Sequence, residues 1–373
     1  MILTRVLPVL LSLALALAAG GCDTGGPAPA TPPEAVAAWD EPLPGPAAAP
    51  DSALLAGALA EAARLPRLHS LLVSQHGRIA AERYFRGTGP DTRANIKSAS
   101  KSVLAALVGI AIREGHLRGV DQPVAEILPE YFGPGTDPRK RRITVEHLLT
   151  MTAGLESTSF GGYGRWVSSR DWVRAALDRP LVSEPGDAMV YSTGSTHILS
   201  AVLTRATGRS TYAYARERLA EPLGIRLRPW QRDPQGIFFG GNDMYLAPRE
   251  MLRFGELYLN GGVYREQQIV PREWVEASFR PRTASGWSGH EYGYGWWIRR
   301  SGGHPVYFAW GYGGQYIFVV PDLRLVAVFT SVADAPREGG HLPALHALLD
   351  RYLVPAAEAR DRRSGKGDPA RSG

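Results

Sequence analysis

The chain of 373 residues holds one cysteine, Cys22, so no disulfide can close within it and the folded state must rest on ordinary core burial. Lysine is nearly as scarce. Four of the 42 Lys and Arg residues are lysine, at positions 97, 101, 140 and 366. After the N-terminal segment no apolar run approaches the roughly 18 to 20 uncharged residues of a membrane span. The nine histidines show no HExxH or similar spacing, so no metal and no cofactor is expected. A G-x-S-x-G elbow is missing, which removes the α/β-hydrolase route to a serine esterase. Gly311 to Gly314 precede a strand pattern and do not open a helix after one, which excludes a dinucleotide fingerprint. The net charge of +6 is scattered, without a helix-turn-helix, zinc-finger or stacking-platform pattern, so no nucleic-acid partner is expected.

What the chain does contain is a core-forming composition, 44% hydrophobic and 9% aromatic. Residues 1–22 run from a short Arg-bearing start through an apolar stretch, Val6 to Ala19, into small residues and Cys22, the layout of a secretory signal. Ala19-Gly20-Gly21-Cys22 resembles a bacterial lipobox, which implies lipidation at Cys22 and a membrane-anchored lipoprotein of the cell envelope. With two membranes it would face the periplasm, and Asp23 resembles an inner-membrane retention signal. Residues 23–50, rich in Pro, Ala and Gly, read as an extended tether. Residues 51–358 form the folded domain, and 359–373 read as a disordered charged tail. Nothing in the sequence sets an oligomeric state.

Within the domain, residues 69–87 read as two strands about the turn Gln75-His76-Gly77-Arg78, and 315–331 as two more about Pro321-Asp322. Between the hairpins lie mostly helical patterns, at 101–114, 145–152, 172–178, 196–207, 212–219 and 248–260; one more closes the domain at 341–353. Strands at both ends with helices between them predict an α+β fold: one antiparallel sheet flanked by helices, with an inserted helical lobe. A site is expected where the lobes meet.

Lys101 stands out because the chain otherwise writes its cations as arginine. It follows Ser98 by three positions, at the first turn of an apolar helix, so hydroxyl and amine share one face. The helix dipole and the apolar Val103, Leu104, Leu107 and Ile110 both disfavour the ammonium form there. A neutral lysine can take the serine proton, whereas arginine stays charged. Taken alone, the pair reads equally as a helix N-cap followed by a solvent-facing lysine.

Context decides between the two. NIKSASKSVLAALVGIAIREG (95–115), ITVEHLLTMTAGLE (143–156), EPGDAMVYSTGSTHILSAVL (184–203), GGNDMYLAPREMLRFGELYLNGG (240–262) and AWGYGGQYIFVVPDLRLVAVFTS (309–331) follow one another in an order that resembles the serine β-lactamase-related hydrolases. The resemblance is to the branch of class C β-lactamases, D-alanyl-D-alanine peptidases, carboxylesterases and 6-aminohexanoate-dimer hydrolases, and it implies their β-lactamase/transpeptidase-like fold. It makes Ser98 the nucleophile, Lys101 its basic neighbour and Tyr191 the phenol that passes a proton to the leaving group. A phenol beside a cation favours its phenolate, so Tyr191 and Lys101 are expected to act as a relay. The main-chain amides of Ser98 and Tyr312 are then the oxyanion donors, with Gly313 as the neighbour that can take the place of Tyr312. Thr193, Trp310, Gly311 and Gly313 are the candidates for substrate binding, with Ser192 undecided.

The chain departs from the penicillin-recognising members of that group at Ala309-Trp310, where they commonly place lysine or histidine. A substrate carboxylate would lose its nearest partner there. A neutral ester or amide is therefore the expected small-molecule substrate, with Trp166, Trp296, Trp297 and Trp310 as candidate walls of an apolar cleft. The alternatives are a D-alanyl-D-alanine peptidase or β-lactamase of the same group, and a non-catalytic envelope protein that only binds.

Overall fold

The computed structural model describes residues 52–334 and 339–363. The leader 1–22 with Cys22 and the tether 23–50 lie outside the described residues, as do residues 364–373. Eight strands form one antiparallel sheet: β1 (Leu68–Gln75), β2 (Arg78–Tyr84), β3 (Thr283–Ala284), β4 (Glu291–Tyr292), β5 (Trp297–Ser301), β6 (His304–Gly311), β7 (Gln315–Val320) and β8 (Leu325–Ser331). Their order is β2-β1-β8-β7-β6-β5-β4-β3. The two expected hairpins are β1–β2 and β7–β8, and they join edge to edge through β1 and β8, from Leu68 opposite Ser331 to Gln75 opposite Leu325. The sheet is covered on both faces. Along β7 and β8, Tyr316, Phe318, Leu325, Ala327 and Phe329 enter one core, while Ile317, Val319, Val326 and Val328 enter the other. Period-two alternation between two dry faces is why both strands read as unbroken apolar runs.

One face is packed by α1 (Ser52–Arg64) and the two C-terminal helices, and the other by the helical insertion. The insertion is built on α2 (Ser100–Arg113), which is buried from Ser100 through Ala111. Around it stand α3 (Val145–Leu149), α4 (Trp172–Leu177), α5 (Thr193–Thr207), α6 (Pro248–Leu259) and α7 (Arg272–Ser278). Helix α8 (His341–Leu348) passes through one wide, π-helical turn into α9 (Val354–Arg363). Among the described residues no helix is long and apolar enough to cross a membrane.

Two expectations need correcting here. Residues 359–363 are not tail but the end of α9: Arg360 and Asp361 are buried, with Asp361 Oδ1 2.7 Å from His76 Nε2 on the first hairpin. Side-chain hydrogen bonds anchor the segment, and composition alone does not reveal such pairing. Helix α5 starts three residues before the expected Thr196, which puts Thr193 in its first turn.

Helix α2 leaves no room on one side. An ideal Cβ on Gly109 would lie 2.3 Å from Cγ of the Trp274 indole on α7. In Gly109→Ala the overpacking cost of about 1–3 kcal/mol outweighs a helix-propensity gain of about 1 kcal/mol. The variant should be less stable than wild type in urea unfolding, and a more stable one would mean that the α2–α7 contact is loose.

Candidate active site

Three-residue spacing and a strained turn together aim the centre of the site. Lys97 sits in the left-handed region at φ 49°, and its N–H donates to Asn95 Oδ1 at 3.0 Å. Such a φ costs a non-glycine residue about 1–2 kcal/mol. The chain turns there into a short 3₁₀ segment, Lys97–Ala99, that runs into α2 and carries Ser98 half-exposed at its edge. No side-chain cap closes α2, so the N-cap reading of Ser98 does not hold.

Lys101 is 2% exposed. Its Nζ lies 3.1 Å from Ser98 Oγ, 3.3 Å from Thr193 Oγ1 and 2.7 Å from the Gly241 carbonyl oxygen. Burial pulls the amine down to about 7. A carbonyl can only accept, so one Nζ–H goes to Gly241 and a second can go to Thr193. In the neutral amine the remaining position is a lone pair facing the Ser98 hydroxyl.

Tyr191 completes the group, half-buried and hydrogen-bonded to Ser98, with Lys101 Nζ 5.4 Å from its ring centre. The expectation of a phenolate is corrected. Burial pushes the phenol up to about 12, and the Ser98 hydrogen bond only partly opposes this. The cation invoked to favour phenolate is an amine that the same burial drives neutral. At neutral pH the trio is a neutral phenol, a hydroxyl and an amine in equilibrium with its ammonium form.

A loop absent from the sequence-based candidates fixes Tyr191 and its neighbours. Ser157 Oγ donates to the Tyr191 carbonyl at 2.7 Å, Thr158 N–H donates to Ser192 Oγ at 3.1 Å, and Thr193 N–H donates to Ser159 Oγ at 2.9 Å. Ser159 Oγ is also 3.0 Å from Thr193 Oγ1. Thr193 therefore faces Lys101, while Ser192 is tied to Thr158 and turned to structure. The signal for this loop was the hydroxyl run Ser157-Thr158-Ser159, which sequence alone cannot match to a partner 34 positions away.

Gly311 ends β6 and packs so tightly that a Cβ there would lie 2.1 Å from the Ile96 carbonyl, two residues before Ser98. This contact sets the end of β6 against the turn that leads into Ser98, and the Tyr312 side chain that follows is exposed. Gly313, at φ 82°, turns the chain toward β7. Of the four tryptophans considered as cleft walls, Trp166 and Trp296 are wholly core, among Trp172, His197 and Phe239 and among Phe254, Tyr258 and Phe279 respectively. Trp297 is buried too but stacks on Tyr191 at 5.7 Å, and the half-buried Trp310 lies 5.5 Å from Trp297. Two residues missed by the sequence reading join them: Phe160, 51% exposed and 6.2 Å from Tyr191, and Trp287, 55% exposed and 6.1 Å from Phe160. Large aromatic faces left in water beside the half-exposed Ser98 and Tyr191 suit an apolar ligand group.

Over 225 residues the chain is 27% identical to a 6-aminohexanoate-dimer hydrolase of Paenarthrobacter ureafaciens, covering 56% of each chain. It is 30% identical over 180 residues to the esterase EstB of Burkholderia gladioli, covering 42% of this chain and 45% of that one. The chain thus spans about half the length of these curated relatives. In fold it is similar to a penicillin-binding protein homologue from Caulobacter crescentus, with a TM-score of 0.67, 18% identity, and coverage of 83% of this chain and 97% of that one. The Beta-lactamase family model matches residues 69–350, which hold every site residue named above, and the chain belongs to that family.

Proposed function

We propose that the protein is a serine hydrolase that cleaves a neutral ester or amide bearing an apolar group, through an acyl-enzyme on Ser98. The observation that carries this reading is the buried Lys101 amine, which points at the Ser98 hydroxyl while Gly241 and Thr193 occupy its other directions. In the first half-reaction the Ser98 proton passes to Nζ as Oγ bonds to the substrate carbonyl carbon. The carbonyl oxygen becomes negative and is held by the main-chain N–H groups of Ser98 and Tyr312, each worth about 3–4 kcal/mol at the transition state. Tyr191 gives its phenolic proton to the departing alkoxide or amine and is reprotonated from Lys101. Water then repeats the steps in reverse on the acyl group. The aromatic wall of Phe160, Trp287 and Trp310, packed against the buried Trp297, takes the apolar part of the substrate. The names of the two curated relatives, an esterase and a 6-aminohexanoate-dimer hydrolase, support the same substrate class.

A serine-directed phosphonate tests the reading, with turnover of a chromogenic short-chain ester followed in parallel. Label should be found on Ser98 and nowhere else. The reactive species is the unprotonated amine, so with its pKa near about 7 the rate should fall about tenfold per pH unit below 7 and level off above it. Label on another residue, or a rate flat from pH 5 to 9, would overturn the mechanism. Hydrolysis of a chromogenic cephalosporin with no ester turnover would move the assignment to the penicillin-recognising members of the family.

A further inference from the structure

His197 on α5 and Asp233 form an acid–base pair whose side chains are wholly enclosed, with Nε2 and Oδ2 3.0 Å apart. The imidazole is boxed by Trp166, Trp172 and Phe239, with ring centres 5.4 to 5.9 Å from its own. An apolar side chain would fill such a box at less cost, since each buried polar group must be matched by a partner or loses several kcal/mol. Here every partner is present. Asp233 Oδ1 accepts the N–H groups of Gln235 at 2.9 Å and Ile237 at 2.8 Å. On the other side of the ring, the Gly240 N–H points at His197 Nδ1 at 3.3 Å. An N–H can meet Nδ1 only where that nitrogen carries a lone pair, so the ring proton is on Nε2, facing Asp233.

The next residue along is Gly241, whose carbonyl accepts from Lys101 Nζ at 2.7 Å. Thr196 Oγ1 lies 3.0 Å from the Gly240 carbonyl and 2.9 Å from that of Thr193, sharing its proton between them, so the short Gly240-Gly241 segment is held by His197 and in part by Thr196 and presents its next oxygen to the lysine. We propose that His197 and Asp233 are positioning residues: by fixing one tautomer they hold the Gly240-Gly241 segment in register, and through the Gly241 carbonyl they aim the Lys101 lone pair at Ser98. This deepens the hydrolase reading and rests on it. Neither residue touches substrate. Their effect reaches the reaction through one backbone oxygen, and a nucleophile–base pair displaced by about 1 Å loses about a hundredfold in rate.

Two amide substitutions separate the halves of the pair. In His197→Asn the side-chain oxygen reaches the place of Nδ1 and still accepts from Gly240, but the Asp233 contact is lost. In His197→Gln the amide nitrogen reaches the place of Nε2 and still donates to Asp233, but Gly240 loses its acceptor. Asp233→Asn keeps volume and presents an amide N–H to Nε2, which forces the ring proton onto Nδ1 against the Gly240 N–H.

The measurements are thermal melting, ester kcat and KM, and the pH dependence of phosphonate labelling at Ser98. H197Q and D233N should keep KM and lose about a hundredfold in kcat. Their acid limb should move below that of wild type, because the ammonium form loses the carbonyl that favours it. H197N should stay within about tenfold of wild type, with its limb in place. Equal losses in H197N and H197Q at equal melting temperature would reduce the pair to core packing and overturn the proposal. Wild-type kinetics in a folded D233N, the variant that changes no volume and serves if H197Q does not fold, would overturn it too. Failure of wild type to label at Ser98 is a separate result, which removes the hydrolase reading itself.

Discussion

Lys101→Arg should lose about 10³- to 10⁴-fold in kcat/KM on the chromogenic ester, because a guanidinium keeps its proton and leaves Ser98 without a general base. It also carries an obligatory charge into a site where Lys101 is 2% exposed and its three neighbours are neutral oxygens. An uncompensated buried charge costs about 3–5 kcal/mol, so the arginine variant should melt well below wild type. Lys101→Met separates the two effects. It offers similar length without a base or a charge, so it should be as inactive as K101R yet melt no lower than wild type, whose native state holds an amine out of water. Either variant retaining activity within tenfold of wild type would place the base elsewhere.

The next largest effect is expected at Gly241, where backbone and space both exclude a side chain. Its φ is 85°, and an ideal Cβ would lie 2.3 Å from Thr196 Oγ1, 2.8 Å from Lys101 Cγ and 3.0 Å from Nζ. Ordinary contact needs more than this at all three, so Gly241→Ala must push Lys101 aside or lift the Gly240-Gly241 segment off it. The expected loss in kcat is about a hundredfold, with about 1–3 kcal/mol of overpacking in the stability. Gly303→Ala is the control. Gly303 has almost the same φ, 86°, but no atom within 4 Å of the added carbon, so that variant should show only the backbone cost of about 1–2 kcal/mol and normal kinetics. Normal turnover in a folded G241A would show that the carbonyl contact to Lys101 is dispensable.

What could be read from the sequence follows the range of the interactions. Ser98 and Lys101 are one helical turn apart, so their shared face was legible from spacing, and both terminal hairpins were legible from their turns and strand patterns. Tyr191 was reachable only through the ordered motifs of a family, because nothing local ties a phenol to a serine 93 positions away. Gly240-Gly241 stood in one of those motifs, yet its task is set by φ and by atoms of α2 and α5, which no pattern displays. Phe160 and Trp287 were invisible for a related reason: an exposed aromatic on a loop gains meaning only from what it stands beside. Helix α1 hid in its composition. Its buried stripe is Leu55, Ala58 and Ala62, and alanine gives little contrast against an Ala-rich stretch.

The pairing of β1 with β8 joins segments from near the two ends of the domain, Leu68 opposite Ser331. A long stretch of chain must therefore close before the eight-stranded sheet is complete. During synthesis a chain that ends between residues 192 and 331 would already own Ser98, Lys101 and Tyr191 while its sheet is still incomplete. Closure of the sheet between such distant segments is thus a late event of folding.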